Sequence, residues 1–148
     1  MTLKQQVVSL EYAKRLKELK VPQKNGLYCW VKNRFGDFYV TSEGITPMIT
    51  SDDENCMAFT VAELGEMLPA RIRNKKTGNL DFLRMHKGDD YKQDVRDKFT
   101  LEYHTTFYAP LCRISSNSEA DARAKMLIYL IENHLYDHQN TQKTQTTV

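Results

Sequence analysis

Ser118-Glu119-Ala120-Asp121-Ala122-Arg123-Ala124-Lys125-Met126-Leu127-Ile128-Tyr129-Leu130-Ile131-Glu132-Asn133-His134-Leu135 is the stretch whose reading decides the fold. Alanines and long unbranched side chains dominate it, so intrinsic preference and pattern both predict a helix. Ser118, followed three residues later by Asp121, predicts an S-x-x-D capping box that satisfies the first amides. Ala120, Ala124, Leu127, Ile128, Ile131 and Leu135 form one stripe, and Met126 and Leu130 widen it past an ordinary amphipathic face. A helix this apolar must be covered by its own fold or by another chain. The segment marks a packing centre and names no chemistry.

Composition bounds what surrounds that centre. With 148 residues, 41% hydrophobic and 27% charged, the chain fits one globular domain able to bury a substantial core. A formal net charge of +2 excludes a polycation, so any affinity for nucleic acid must come from local clustering. No apolar run approaches the roughly 20 residues of a membrane helix. Met1-Thr2-Leu3-Lys4-Gln5-Gln6-Val7-Val8 lacks the apolar region and cleavage site of a secretory leader, so the expected location is cytoplasmic, with no membrane contact. Cys29, Cys56 and Cys112 are odd in number and widely spaced, which predicts reduced, buried thiols.

Helical spacing of Tyr12, Ala13, Leu16 and Leu19 after Ser9 predicts a first helix over residues 10–20, stopped by Pro22. Its outer face carries Lys14, Arg15, Lys17, Lys20 and Lys24, with Glu11 and Glu18 placed for local pairs, and reads as a solvated face. Leu27-Tyr28-Cys29-Trp30-Val31 is apolar on both faces and predicts a central strand. Tyr28 and Trp30 have the chemistry of a ligand platform, but core packing explains them better. Asn33-Arg34-Phe35-Gly36-Asp37 turns the chain into a partner strand, Phe38-Tyr39-Val40. Residues 41–55 read as an exposed polar loop, with a short extended piece at Met48-Ile49.

Thr60-Val61-Ala62-Glu63 is a T-x-x-E capping box, and Phe59 and Leu64 stand at the spacing of a hydrophobic staple. Pro69 ends the short helix, which Val61, Leu64, Met67 and Leu68 must dock because it is too short to persist alone. Residues 70–111 predict an antiparallel meander, with strands at 70–73, 80–85 and 99–103 and turns at 75–79 and 87–90. Residues 107–111 read as a continuation of the sheet, at its edge because of Pro110, and residues 91–97 fit a strand or a polar loop. Ser115-Ser116-Asn117 reads as the hinge into the last helix, and residues 138–148 as a disordered polar tail. The expectation is one α+β domain over residues 1–137. A mainly antiparallel sheet of roughly four to six strands is covered on one face by the N- and C-terminal helices, and the short middle helix closes one end.

Most chemistry is missing. The six glycines are scattered, with no G-x-x-x-x-G-K-[ST] or G-x-G-x-x-G, and no serine stands in G-x-S-x-G. His134 and His138 are four apart, but zinc needs a further ligand and a helix that persists, so solvated histidines are the better reading. Asp52-Asp53-Glu54 and Asp89-Asp90 lack the ligand spacing of a calcium loop. His104 and Cys112 fall on neighbouring strands, yet nothing local lowers the thiol pKa, and Cys112 between Leu111 and Ile114 reads as packing. No catalytic residue, metal site or cofactor is therefore expected.

One cluster carries a functional signal. Arg71, Arg73, Lys75, Lys76, Arg84, His86 and Lys87 crowd two strands and their turns, with Asp81 the only acid among them. Arg71, Arg73, Lys75, Lys76, Arg84 and Lys87 are the candidate contacts to nucleic acid, driven by counterion release. Single-strand binding would also need aromatic or polar groups on that face; Phe82 has that chemistry but reads as core. The plainer account is a polar sheet surface with a lysine turn that guards against edge pairing.

Ser9-Leu10-Glu11-Tyr12-Ala13-Lys14-Arg15-Leu16-Lys17-Glu18-Leu19, then Val21-Pro22-Gln23 and Tyr28-Cys29-Trp30-Val31, resembles the opening of small uncharacterised proteins of phages, prophages and mobile elements. The segments Phe59-Thr60-Val61-Ala62-Glu63-Leu64-Gly65-Glu66-Met67-Leu68-Pro69 and Glu119-Ala120-Asp121-Ala122-Arg123-Ala124-Lys125-Met126 are similar to their middle and closing helices. The resemblance implies a phage-related setting and no activity, cofactor or site residue. The expected function is a non-catalytic accessory or interaction protein that binds a protein partner or self-associates, with Met126, Tyr129 and Leu130 as the interface. The alternative is nucleic-acid binding by the 71–87 hairpin, and the third is an enzyme of unknown class.

Overall fold

The computed structural model describes residues 2–42, 54–88, 99–105 and 109–136. In chain order the elements are α1 (Leu3–Gln6), α2 (Leu10–Glu18), β1 (Cys29–Lys32), β2 (Phe38–Thr41), β3 (Cys56–Met57), α3 (Val61–Met67), β4 (Arg71–Arg73), β5 (Leu80–Lys87), β6 (Phe99–His104), β7 (Cys112–Ser116) and α4 (Glu119–Glu132). The architecture is α+β with antiparallel sheets. The strands divide into two sheets rather than one, of order β2-β1-β3 and β4-β5-β6-β7. The chain leaves the small sheet at Thr60, where an isolated bridge to Val7 and a hydrogen bond from Val8 N–H to the Phe59 carbonyl occupy the backbone after β3. Helix α3 then carries the chain to the second sheet.

Helix α4 is the packing centre. It lies against β6 and β7 on one side and against α2 and α3 on others. Ala120, Ala122, Ala124, Met126, Leu127 and Leu130 are buried on it, which explains an apolar surface wider than one stripe. The N-terminal helix reaches this core through α4 and β3, not by covering the large sheet. A Cβ at Gly65 of α3 would lie 2.8 Å from Arg123 Nη1, the far end of a flexible side chain on α4.

The caps are built partly as the spacing predicts. Ser118 Oγ accepts the Asp121 N–H at 3.4 Å. The Asp121 carboxylate does not close the box. Its Oδ1 accepts the backbone N–H of Ser9 at 2.7 Å, at the start of α2. The Thr60 box is complete: Glu63 N–H donates to Thr60 Oγ1 at 3.2 Å, and Thr60 N–H donates to Glu63 Oε2 at 2.7 Å. Glu63 Oε1 also accepts the Leu27 N–H at 3.0 Å, so one carboxylate ties α3 to the entrance of β1. Phe59 and Leu64, the staple pair, are both buried.

Helix α2 stops at Glu18 instead of residue 20, because Lys20 takes a left-handed conformation (φ 64°) and Val21 N–H returns to the Leu16 carbonyl. Strand β1 is central in its sheet, as its two apolar faces predict, although Leu27 precedes it and is exposed. Trp30 is buried and its Nε1–H donates to the Val8 carbonyl at 2.9 Å, a core role. Asn33 Oδ1 accepts the Phe35 and Asp37 N–H groups, and Gly36 supplies the left-handed residue (φ 91°) that the β1–β2 turn requires.

The final edge strand is β7, so Ser115 and Ser116 belong to the sheet and are not a hinge. β5 runs on to Lys87, past the expected strand end at residue 85. The expected features at Met48-Ile49, Asp52-Asp53, Asp89-Asp90, 91–97, 107–108 and 138–148 lie outside the described residues.

Candidate nucleic-acid interface

The β4–β5 hairpin is shaped by Asn74. Its N–H donates to the Asn79 carbonyl at 2.8 Å, its Oδ1 accepts the Lys76 N–H at 2.9 Å, and its Nδ2 donates to Asp81 Oδ2 at 3.1 Å. Gly78 provides the positive φ of 73° that completes the turn. Alternation then separates the side chains. Ile72 and Asp81 are cross-strand partners and both are buried, so the one acid of the basic cluster points inward.

The opposite face of the large sheet is ordered in cross-strand rows. Arg71, Phe82 and His104 are partners across β4, β5 and β6. Arg84, Glu102 and Arg113 form the next row, on β5, β6 and β7. His86, Thr100 and Ser115 form the third. Arg73 sits beside Leu80 at the hairpin end. Leu101 and Tyr103, between these positions on β6, face α4 and are fully buried. Among the described residues no helix packs on the face that carries the arginines.

Among the described residues that face holds Arg71, Arg73, Arg84 and Arg113 against one carboxylate, Glu102. Glu102 is only 6% exposed and accepts from Arg113 Nε at 2.8 Å. His104 Nδ1 lies 2.7 Å from the Thr105 carbonyl, which can only accept, so Nδ1 carries the hydrogen. Nε2 is then free to accept from Arg84 Nη1 at 2.7 Å. This contact holds one guanidinium at the sheet, and the same Nε2 lies 3.5 Å from Glu102 Oε1. Arg73 Nη1 donates to the Gly78 carbonyl at 3.0 Å. Phe82, at the middle of the first row, is 53% exposed.

The sequence-predicted contacts divide into three groups. Arg71, Arg73 and Arg84 share the open face. Lys75 and Lys76 stand at the hairpin tip, where Lys75 Nζ donates to the His134 carbonyl at 3.3 Å and ties the tip to the end of α4. Lys87 is opposite Phe99 on the other face, its Nζ 5.5 Å from that ring, and does not join the arginines. Arg113, His104 and Phe82 complete the face. Phe82 shares strand parity with Arg84 and His86, which is a signal against a core position, while Arg113 could be found only from the β6–β7 register.

Two of the three residues expected at a partner interface pack inside the fold. Met126 and Leu130 are at 0% exposure inside the chain's own core, and Tyr129 is partly buried beside a 460 Å³ groove lined also by Tyr12 and Ile128. The basic face of α2 is locally engaged: Arg15 contacts Glu132 at 2.6 Å and Glu18 at 2.9 Å, and Lys14 lies over Phe38. These hydrogen bonds, to Glu132 foremost, raise the Arg15 pKa.

Catalytic chemistry finds no constellation among the described residues. Cys112 faces inward, opposite in parity to His104, and donates to Met126 Sδ at 3.5 Å. Burial pushes its pKa up to about 11, which keeps the thiol protonated and unreactive. Burial also raises Cys29, with Glu63 adding to the effect, and raises the Tyr103 phenol, whose hydroxyl donates to the Pro69 carbonyl. His134 takes a left-handed conformation (φ 54°) just past α4, so the helix that would align it with His138 has ended. No group of three or more His, Cys, Asp or Glu side chains among the described residues could hold a metal ion. No helix among them is long and apolar enough to cross a membrane.

Fold and face together define an α+β protein whose large sheet packs one surface on α4 and carries arginines on the other. On that second surface Thr100 and Glu102 of β6 are buried, and no helix packs there among the described residues. No family model, no curated protein and no solved structure matches the chain.

Proposed function

We propose that the protein binds nucleic acid on the open face of its four-stranded sheet. The observation that supports this most is the sorting of charge by strand parity. Asp81 turns into the core, while Arg71, Arg73, Arg84 and Arg113 share a surface on which Glu102 is the one carboxylate among the described residues. Guanidinium groups suit phosphate because they are always charged and offer planar, paired donors. A chain with a net charge of only +2 gains such affinity by concentrating its cations, and counterion release then drives association.

Self-association through α4, the other reading, has lost Met126 and Leu130 to the core. The likeness to phage and prophage proteins supplies a setting for either activity and no site. The test is fluorescence anisotropy with labelled mixed-sequence oligonucleotides in low salt. The wild-type chain should bind, and the R71E/R84E double variant should bind at least tenfold more weakly with an unchanged circular dichroism spectrum. Absence of binding in low salt, or equal binding by the double variant, would remove the proposal.

A further inference from the structure

Resting on that reading, we infer that the nucleic acid taken by this face is single-stranded, with a base stacked on Phe82 and its flanking phosphates on the arginines. The inference starts from the position of Phe82. It is the middle residue of the row Arg71–Phe82–His104, and 53% of it is exposed on a strand whose next residue, Leu83, turns toward the core side. An aromatic ring left in solvent among arginines offers what a polyanion alone does not need. Bases present such a π-face only when they are unpaired, and stacking on an aromatic side chain tolerates any base.

The surroundings fit a strand lying across the sheet. Arg71 and Arg73 are on the β4 side of the ring, and Arg84 belongs to the adjoining row, where Arg113 is paired to Glu102. The first row, from β4 to β6, spans about 10 Å, and the two rows are about 7 Å apart, from ordinary strand spacing. Cations therefore lie on more than one side of Phe82 within reach of the phosphates flanking one stacked base. The Arg84–His104 hydrogen bond at 2.7 Å keeps the guanidinium near the sheet rather than extended into solvent.

The competing occupant is duplex DNA entered by a β-ribbon, since a two-stranded ribbon fits the major groove. The β4–β5 hairpin is poorly disposed for that. Its tip is tied back to the C-terminal end of α4 by Lys75 and the His134 carbonyl, so it does not stand free as a ribbon. The usable surface is the flat face and not the tip.

The test compares three chains (wild type, Phe82→Ala and Phe82→Trp) against a single-stranded 20-nucleotide thymidine oligomer and a mixed-sequence 20-base-pair duplex. Anisotropy is read at one low salt concentration. Phe82→Ala should weaken single-strand binding by about 5- to 150-fold, the loss of one stacked base, while Phe82→Trp retains it. Duplex binding should be weaker than single-strand binding in the wild type and unaffected by either change. Because Phe82 is exposed, the fold should survive both substitutions, checked by thermal melting. Equal affinity for duplex and single strand, with neither altered by Phe82→Ala, would overturn the single-strand inference and leave the charged-face proposal standing. No binding of either probe would overturn both.

Discussion

The Asp121 carboxylate accepts the backbone N–H of Ser9 at 2.7 Å, joining the first turn of α4 to the start of α2 across 112 positions of sequence. An aspartate three residues into a helix normally serves its own N-cap. Here it serves a neighbouring helix, adding negative charge at the N-terminus of α2, where the helix dipole favours it. Asp121→Ala should cost about 1.5–3 kcal/mol, the range for a hydrogen bond to a charged group, and Asp121→Asn should recover part of it. Urea denaturation of the two variants measures this directly. A loss no larger than a few tenths of a kcal/mol for Asp121→Ala would mean the contact contributes little.

Glu63 has a similar double duty. Its two oxygens reach Thr60 and Leu27, so Glu63→Ala orphans the N-cap amide and the entrance to β1 together. The expected destabilisation exceeds that of an isolated cap, about 2 kcal/mol or more against a typical 1. Comparing its midpoint with that of Thr60→Ala separates the shared cap from the Leu27 tie.

Leu130 separates core from interface. It is fully buried, so Leu130→Ala should lower stability by about 2–5 kcal/mol and leave the sedimentation mass of the folded protein unchanged. A variant that keeps its stability while shifting an oligomer to monomer would restore the interface role.

Cys112 predicts a pH dependence. Burial raises its pKa from 9.0 to about 11. For a group whose folded pKa lies above its unfolded value, the stabilising contribution is complete below the unfolded value and is lost as pH rises through the folded one. Stability should therefore fall between about pH 9 and 11, and Cys112→Ala should flatten that part of the profile. Iodoacetamide at pH 8 should leave this thiol unmodified until the protein is unfolded, which mass spectrometry of the alkylated peptide can establish.

How much the residues reveal in advance depends on the range of the interaction. Thr60 and Glu63 are three apart, and their box is legible because both partners lie on one turn. The destination of Asp121 is not, since Ser9 becomes its neighbour only after two helices pack. Helix α4 is legible as a centre from Ala120 to Leu130, but its own two-sided burial and an exposed docking surface leave the same pattern in sequence. Phe82 and Leu83 are adjacent apolar residues on a strand, and which of them faces the core depends on where α4 sits. The arginines at 71, 73 and 84 are visible as a local cluster; Arg113 joins them only through the β6–β7 register, and Lys87 leaves them by alternation.

The salt dependence of single-strand binding tests the charged face most directly. With Arg113 already paired to Glu102, Arg71, Arg73 and Arg84 remain to neutralise phosphates. The logarithm of the association constant should then fall against the logarithm of salt concentration with a slope of about −2, at about −0.7 per phosphate contact. Arg71→Ala should reduce that slope by about one contact. A slope near zero, or one that Arg71→Ala leaves unchanged, would contradict the account.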